Sequence, residues 1–134
     1  MKLIIDTNRI IASLIKDSLS RQIIKSPLIE FITPDHTLQE LTKYETVIRK
    51  KAHLTHQEFD LLLALLFEQI TIIPREEYQQ FLKTAQTLID DIDDVPFVAL
   101  ALATKVDGIW TDDADFQTNK YFMVFRTKDF ASIF

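Results

Sequence analysis

Short apolar runs that end in an acid or a proline, each followed by apolar residues at helical spacing, constrain this chain more than any other feature. Lys2-Leu3-Ile4-Ile5-Asp6 reads as a buried strand closed by a carboxylate, and Ile10, Ile11, Leu14 and Ile15 then recur at helical intervals. Leu28 to Thr33 is a second β-rich run, stopped by Pro34. From Asp35 the pattern is helical, with Leu38, Leu41, Tyr44 and Ile48 on one face. Thr55 is placed to cap a helix carrying Phe59, Leu62, Leu63, Leu66 and Phe67, its apolar face widened by Leu61 and Leu65. Ile70 to Ile73, before Pro74, is a third strand. Glu76 and Glu77 suit the first turn of a helix striped by Phe81, Leu82, Ala85, Leu88 and Ile89. Asp94 or Asp93 then caps a helix with Pro96 in its first turn, and Gly108 to Thr111 and Tyr121 to Arg126 supply two more strands. Strands alternating with helices imply βα units and a parallel sheet with helices on both faces. The expectation is one α/β/α domain over residues 1–134.

Composition narrows the chemistry. The absence of cysteine excludes disulfides, thiolate metal sites and thiol nucleophiles, and a single glycine, Gly108, excludes glycine-rich phosphate loops. The longest apolar runs, Leu61 to Phe67 and Val95 to Ala103, are too short to span a bilayer, and Asp6 interrupts any leader-like opening. A cytoplasmic protein without a membrane partner is expected. The net charge of -5 argues at first against a nucleic-acid partner. Its distribution reverses that inference. Residues 90–115 hold eight aspartates against Lys105 alone, so this window carries -7 and the remainder +2. A local knot of carboxylates attracts divalent cations, and a bound cation inverts the sign that a phosphate meets.

Parallel α/β sheets bind ligands at the carboxyl ends of their strands, where the strand order reverses. Asp6 ends the first strand, Asp112 and Asp113 follow the fourth, Glu40 lies in the first turns of the helix after the second, and Asp94 begins the helix leading into the fourth. All belong to one edge of the sheet. Oxygen-only ligands select Mg²⁺ or Mn²⁺, which activate water and stabilise charge on a phosphodiester.

Asp6-Thr7-Asn8, Gln39-Glu40-Leu41, Asp94 five residues before Ala99-Leu100-Ala101, and Thr111-Asp112-Asp113-Ala114-Asp115-Phe116 together resemble a PIN domain. The resemblance covers essentially the whole chain, with the four pieces in order. It implies a three-layer sandwich around a five-stranded parallel sheet of order 3-2-1-4-5, and a Mg²⁺- or Mn²⁺-dependent endoribonuclease. It also implies RNA as substrate and, for many members of this size, a toxin neutralised by an antitoxin protein. By match to the motif, Asp6, Glu40, Asp94 and Asp113 take the core acidic positions, and Asp6, Asp94, Asp113 and Asp115 the metal. Two choices stay open: Asp91 competes with Asp94, and Asp112 with Asp113.

Each residue also has a plain structural role. Asp6 can close an Asx turn, Glu40 can be a solvated helix residue, Asp94 can cap a helix, and Asp113 and Asp115 can sit in turns. Asn8, Thr111 and Asp112 are candidates to orient the ligands. Lys43, Arg49, Lys50 and Lys51 are the best phosphate contacts on offer, although such runs are usually solvated. His36, His53 and His56 have no metal-ligand spacing among themselves and are expected at the surface or boundary. Tyr44, Trp110 and Phe116 are expected in the core, and the apolar 59–67 helix is expected either buried or at a homodimer interface. Two rival functions remain: a haloacid-dehalogenase-like phosphatase with Asp6 as nucleophile, disfavoured by Asn8 where a second acid is needed, and a non-catalytic binding protein of the same fold.

Overall fold

The computed structural model describes residues 1–16 and 18–134. Strands β1 (Lys2–Ile5), β2 (Glu30–Pro34), β3 (Ile70–Ile73), β4 (Gly108–Trp110) and β5 (Val124–Phe125) form one parallel sheet of order 3-2-1-4-5. The helices are α1 (Thr7–Ile15), α2 (Ser18–Lys25), α3 (His36–Lys43), α4 (Glu45–Ala52), α5 (His56–Phe67), α6 (Leu82–Gln86) and α7 (Val95–Ala103). Successive side chains of a strand point to opposite faces. Leu3 and Ile5 accordingly join Ile10, Leu14, Ile23, Ile48, Phe59 and Trp110 in one core, while Ile4 joins Ala85, Phe97, Leu100 and Ile109 in the other. The sheet is thus covered by α1–α5 on one face and by α6 and α7 on the other.

Several boundaries differ from the sequence reading. Residues 18–25 form a helix that their sparse apolar pattern does not announce. The helix expected from Asp35 through Ile48 is two helices, broken at Tyr44 (φ -101°, ψ 7°). The break leaves Leu41 and Ile48 buried but turns Leu38 and Tyr44 out to solvent, so Tyr44 is not a core residue. Trp110 and Phe116 are fully buried. The expected helix after Glu76 is two 3₁₀ turns, Arg75–Glu77 and Gln79–Phe81, followed by the short α6. The Tyr78 hydroxyl donates to the Asp35 carboxylate, whose other oxygen accepts the Arg75 amide at 3.0 Å, and this contact pins the turns to the end of β2.

β5 is only two residues long. Side chains of the preceding loop tie the segment before it: Asn119 Oδ1 accepts from Tyr121 and Phe122, and Thr118 Oγ1 accepts from Val124. Gly108 is required where it stands, because a Cβ there would meet the Met123 carbonyl and the Phe125 ring at 2.6 Å. On α5, Thr55 and Glu58 form a reciprocal capping box, worth about 1 kcal/mol. Phe59 and Leu66 are buried beneath it, but Leu61 and Leu65 face solvent, so the helix is not buried all round. No described helix is long and apolar enough to cross a membrane.

Candidate metal centre

Strand pairing brings the first two acids together. Ile5 is in register with Trp110, and the Asp6 amide donates to the Trp110 carbonyl at 3.1 Å. The residues that follow, Asp6 and Thr111, therefore meet at the carboxyl edge between β1 and β4, where the strand order reverses. Thr111 Oγ1 donates to Asp6 Oδ2 at 2.7 Å and accepts the Asp113 amide at 3.1 Å. One buried hydroxyl thus fixes both the first acid and the backbone carrying the next. Asp113 Oδ1 in turn accepts the Asp115 amide at 2.9 Å.

Arg126 holds this loop from beneath. Its guanidinium donates to the carbonyls of Thr111 (3.0 Å), Asp113 (2.6 Å) and Phe116. Asp112 turns away from the acids. It pairs with Arg9 at 2.9 Å and accepts the amide and hydroxyl of Thr127 at 2.8 and 2.7 Å. Of these neighbours, then, Asp112 fastens the C-terminal turn, and Asp113 lines the cleft with Asp94.

A threonine chain positions Glu40. Thr33 Oγ1 donates to the Ile5 carbonyl at 3.0 Å and lies 2.7 Å from Thr37 Oγ1, which is 3.2 Å from Thr7 Oγ1. Thr7 ends the chain by donating to Glu40 Oε1 at 2.7 Å. Three buried hydroxyls thereby link β2, α3 and α1 to one carboxylate.

Asp94 stands at the N-cap of α7, but its side chain makes no capping hydrogen bond. The capping role expected of it is not realised. It is only 8 % exposed, and its Oδ2 is buried without a hydrogen-bond partner among the described residues. Burial pushes its pKa up to about 8, and the charges of Asp113, Asp91, Asp6 and Asp115 push the same way. Asp6, 5 % exposed, is also raised, chiefly by burial and then by Asp113, against the lowering effect of Thr111, the Asn8 backbone and Arg9. Burial raises Glu40 too, opposed by Thr7 and His36. Oxygens of Asp91, Asp94 and Asp115 lie within 4.8 Å of one another, so Asp91 also reaches this group. A buried carboxylate with an orphaned oxygen among like charges is costly unless a cation accepts it. The donors present are all oxygen, a set that fits a hard divalent ion.

The acids open into a cleft of about 320 Å³, also lined by Asn8, Tyr44, Val47 and Lys51. Lys43 lines an adjoining hollow beside Glu40 and Asp93, with its ammonium 5.3 Å from the Tyr44 ring centre. Arg49 is engaged at the end of α4, with Glu45 at 3.5 Å and the Leu54 carbonyl at 3.3 Å, and neither it nor Lys50 lines the cleft. The histidines lie at the surface or its boundary, as expected. His36 is only half-buried and faces carboxylates: Glu40, four residues on, and Asp93. Thr7, Thr33, Thr37, Arg126 and His36 were not marked as site residues by the sequence. Only Thr7 adjoined a motif that pointed to the site.

The structure is thus a parallel α/β/α fold with an acid-centred site at its switch point. The family model described as PIN domain matches residues 4–120, and the chain belongs to that family. Such domains are nuclease-type hydrolases that generally depend on divalent metal. No curated protein matches the chain closely enough for comparison.

Proposed function

We propose that residues 1–134 form one Mg²⁺- or Mn²⁺-dependent endoribonuclease domain acting on RNA phosphodiester bonds. The observation that carries the reading is Asp94, buried with an unpartnered oxygen, its pKa raised first by that burial and then by its acidic neighbours. Asp6, Asp94, Asp113 and Asp115 would hold the cation, Asp91 is a further candidate ligand from its proximity, and Glu40 completes the catalytic set. A divalent ion there would supply positive charge for the phosphodiester and acidify the attacking water.

The chain's own residues prepare that chemistry. Thr111 orients Asp6, the threonine chain orients Glu40, and Arg126 fixes the loop bearing Asp113 and Asp115. Lys51 and Lys43 offer phosphate contacts beside the cleft, which an acidic site otherwise lacks. The nucleophilic-aspartate alternative gives way to membership in the PIN family. In the cytoplasmic toxin reading, an antitoxin protein would neutralise the domain. The groove between α1, α2 and α5 has a volume of about 420 Å³ and is lined by Leu14, Leu62, Leu65 and Leu66.

Cleavage of single-stranded RNA with Mn²⁺, with EDTA, and by Asp94→Asn tests the proposal. The expected result is cleavage by the wild type with Mn²⁺ alone. Undiminished cleavage in EDTA contradicts the metal dependence, and metal binding without cleavage points to the non-catalytic alternative.

A further inference from the structure

His36 projects from the first turn of α3 toward two carboxylates that belong to different elements. Its Nε2 lies 3.8 Å from Glu40 Oε1 and 3.5 Å from Asp93 Oδ1. That nitrogen is buried and makes no hydrogen bond among the described residues. The three ligand atoms lie within 4.8 Å of one another, in a hollow that also borders Gln39, Lys43 and Tyr44. These separations are long for hydrogen bonds. They are close to what coordination needs: bonds of about 2.0–2.2 Å to nitrogen and oxygen place neighbouring tetrahedral ligands roughly 3.3–3.5 Å apart.

The molecule contains a useful contrast. Glu45, His56 and Asp60 also cluster, but Glu45 meets Nδ1 at 2.6 Å and Asp60 meets Nε2 at 3.1 Å. Opposite edges of that ring are each already satisfied, so no common point is left for an ion. At His36 both carboxylates converge on one nitrogen that has no hydrogen bond. The ring is steadied edge-on against Phe97 (84°), and Thr7 holds Glu40.

We propose that His36 Nε2 and carboxylate oxygens of Glu40 and Asp93 form a second cation site, selective for a nitrogen-preferring transition ion of the Zn²⁺ class. A site with imidazole among its ligands suits Zn²⁺, whereas Mg²⁺ prefers oxygen alone. Water completes the coordination. Glu40 is shared with the acidic cleft, so filling this site withdraws a carboxylate from the neighbouring set. Zn²⁺ thereby acts as an inhibitor of the domain, and that consequence alone rests on the nuclease reading.

Calorimetric titration of Zn²⁺ into protein saturated with Mg²⁺ tests the site, with nitrogen-detected NMR of the histidine rings alongside. The wild type should bind one Zn²⁺ saturably and shift the His36 ring signals. His36→Gln and Asp93→Asn, checked for folding by circular dichroism, should each weaken binding by more than about tenfold. Asp113→Asn and His56→Gln should retain it. Absence of saturable binding, equal affinity in His36→Gln, or loss confined to Asp113→Asn or His56→Gln overturns the proposal. In RNA cleavage, Zn²⁺ should slow the wild type and spare His36→Gln, and equal sensitivity overturns the inhibition through Glu40. A protein that cleaves nothing leaves the binding measurement to decide the site on its own.

Discussion

The carboxylates at the switch point and the cluster on α4 and α5 carry charge in opposite ways. Asp6 and Asp94 are buried among like charges, and the pKa of each is raised first by desolvation. Glu45, His56 and Asp60 lie outside the core, where the imidazole sits between two acids of opposite sign and its pKa is raised by the Glu45 hydrogen bond first. With Arg49 also paired to Glu45, the surface cluster meets its own acids with cations. The cleft does not, and its imbalance has a use only if a cation arrives from outside. Proximity of acids is therefore a weak sign of a metal site, whereas burial combined with like charge and an orphaned oxygen is a stronger one.

The largest expected effect that separates the two regions is on activity. Asp6→Asn or Asp94→Asn should lower RNA cleavage by about a hundredfold or more, the scale on which removing an electrostatic contact to the reacting group acts. His56→Gln should leave the rate unchanged. A rate loss in His56→Gln matching that of Asp94→Asn would remove the distinction.

Stability comes next. A cation that binds only the folded state contributes about 2.7 kcal/mol at a hundredfold excess over Kd. For a chain of this length that corresponds to a rise in Tm of roughly 8–14 °C. Mn²⁺ should produce such a rise in the wild type and much less in Asp94→Asn, read by thermal shift against EDTA. Thr111→Ala should weaken Mn²⁺ binding by about ten- to a hundredfold, since Thr111 holds Asp6 without lying at the metal itself.

The pH dependence in EDTA is a smaller effect with a definite sign. Asp94 binds its proton more tightly folded than unfolded, so the folded state holds more protons between pH 4 and about 8. The resulting stability is complete below the unfolded pKa and is lost as pH rises through the folded one. The wild-type Tm without metal should therefore fall from pH 5 to pH 8, and Asp94→Asn should flatten the slope. A slope unchanged in that variant would place the strain elsewhere. Smallest of all is the salt response: His56→Gln should shift Tm little, and added salt should erase what shift there is, because exposed pairs are screened.

The sheet was legible because strands buried on both faces read as continuous apolar runs, and Ile4-Ile5 and Ile109-Trp110 are such runs. Asp6 and the pair Asp112 and Asp113 stood out as candidates because they come just after those runs. Harder to read were the pieces whose conformation depends on a distant partner. Tyr78 breaks its helix to reach Asp35. The residues that support the site were silent for the same reason. Threonine is common, and nothing local distinguishes Thr33 and Thr37 until β2, α3 and α1 pack together. Arg126 likewise gains its role only when β5 lies against β4, a placement that Gly108 permits. The ambiguity between Asp112 and Asp113 was of this kind too, since the partners of Asp112, Arg9 and Thr127, lie far along the chain.

On the proposed function, the switch-point carboxylates are built to receive a cation and are strained without one. The proton count on Mn²⁺ binding tests it most directly, measured by calorimetry at pH 7 in two buffers of different ionisation enthalpy. Asp94, with a pKa of about 8, is mostly protonated there and must lose its proton to bind. The account predicts release of about one proton per Mn²⁺ in the wild type, and weaker binding with less release in Asp94→Asn. Binding of equal affinity in both proteins, with no proton released, would contradict it.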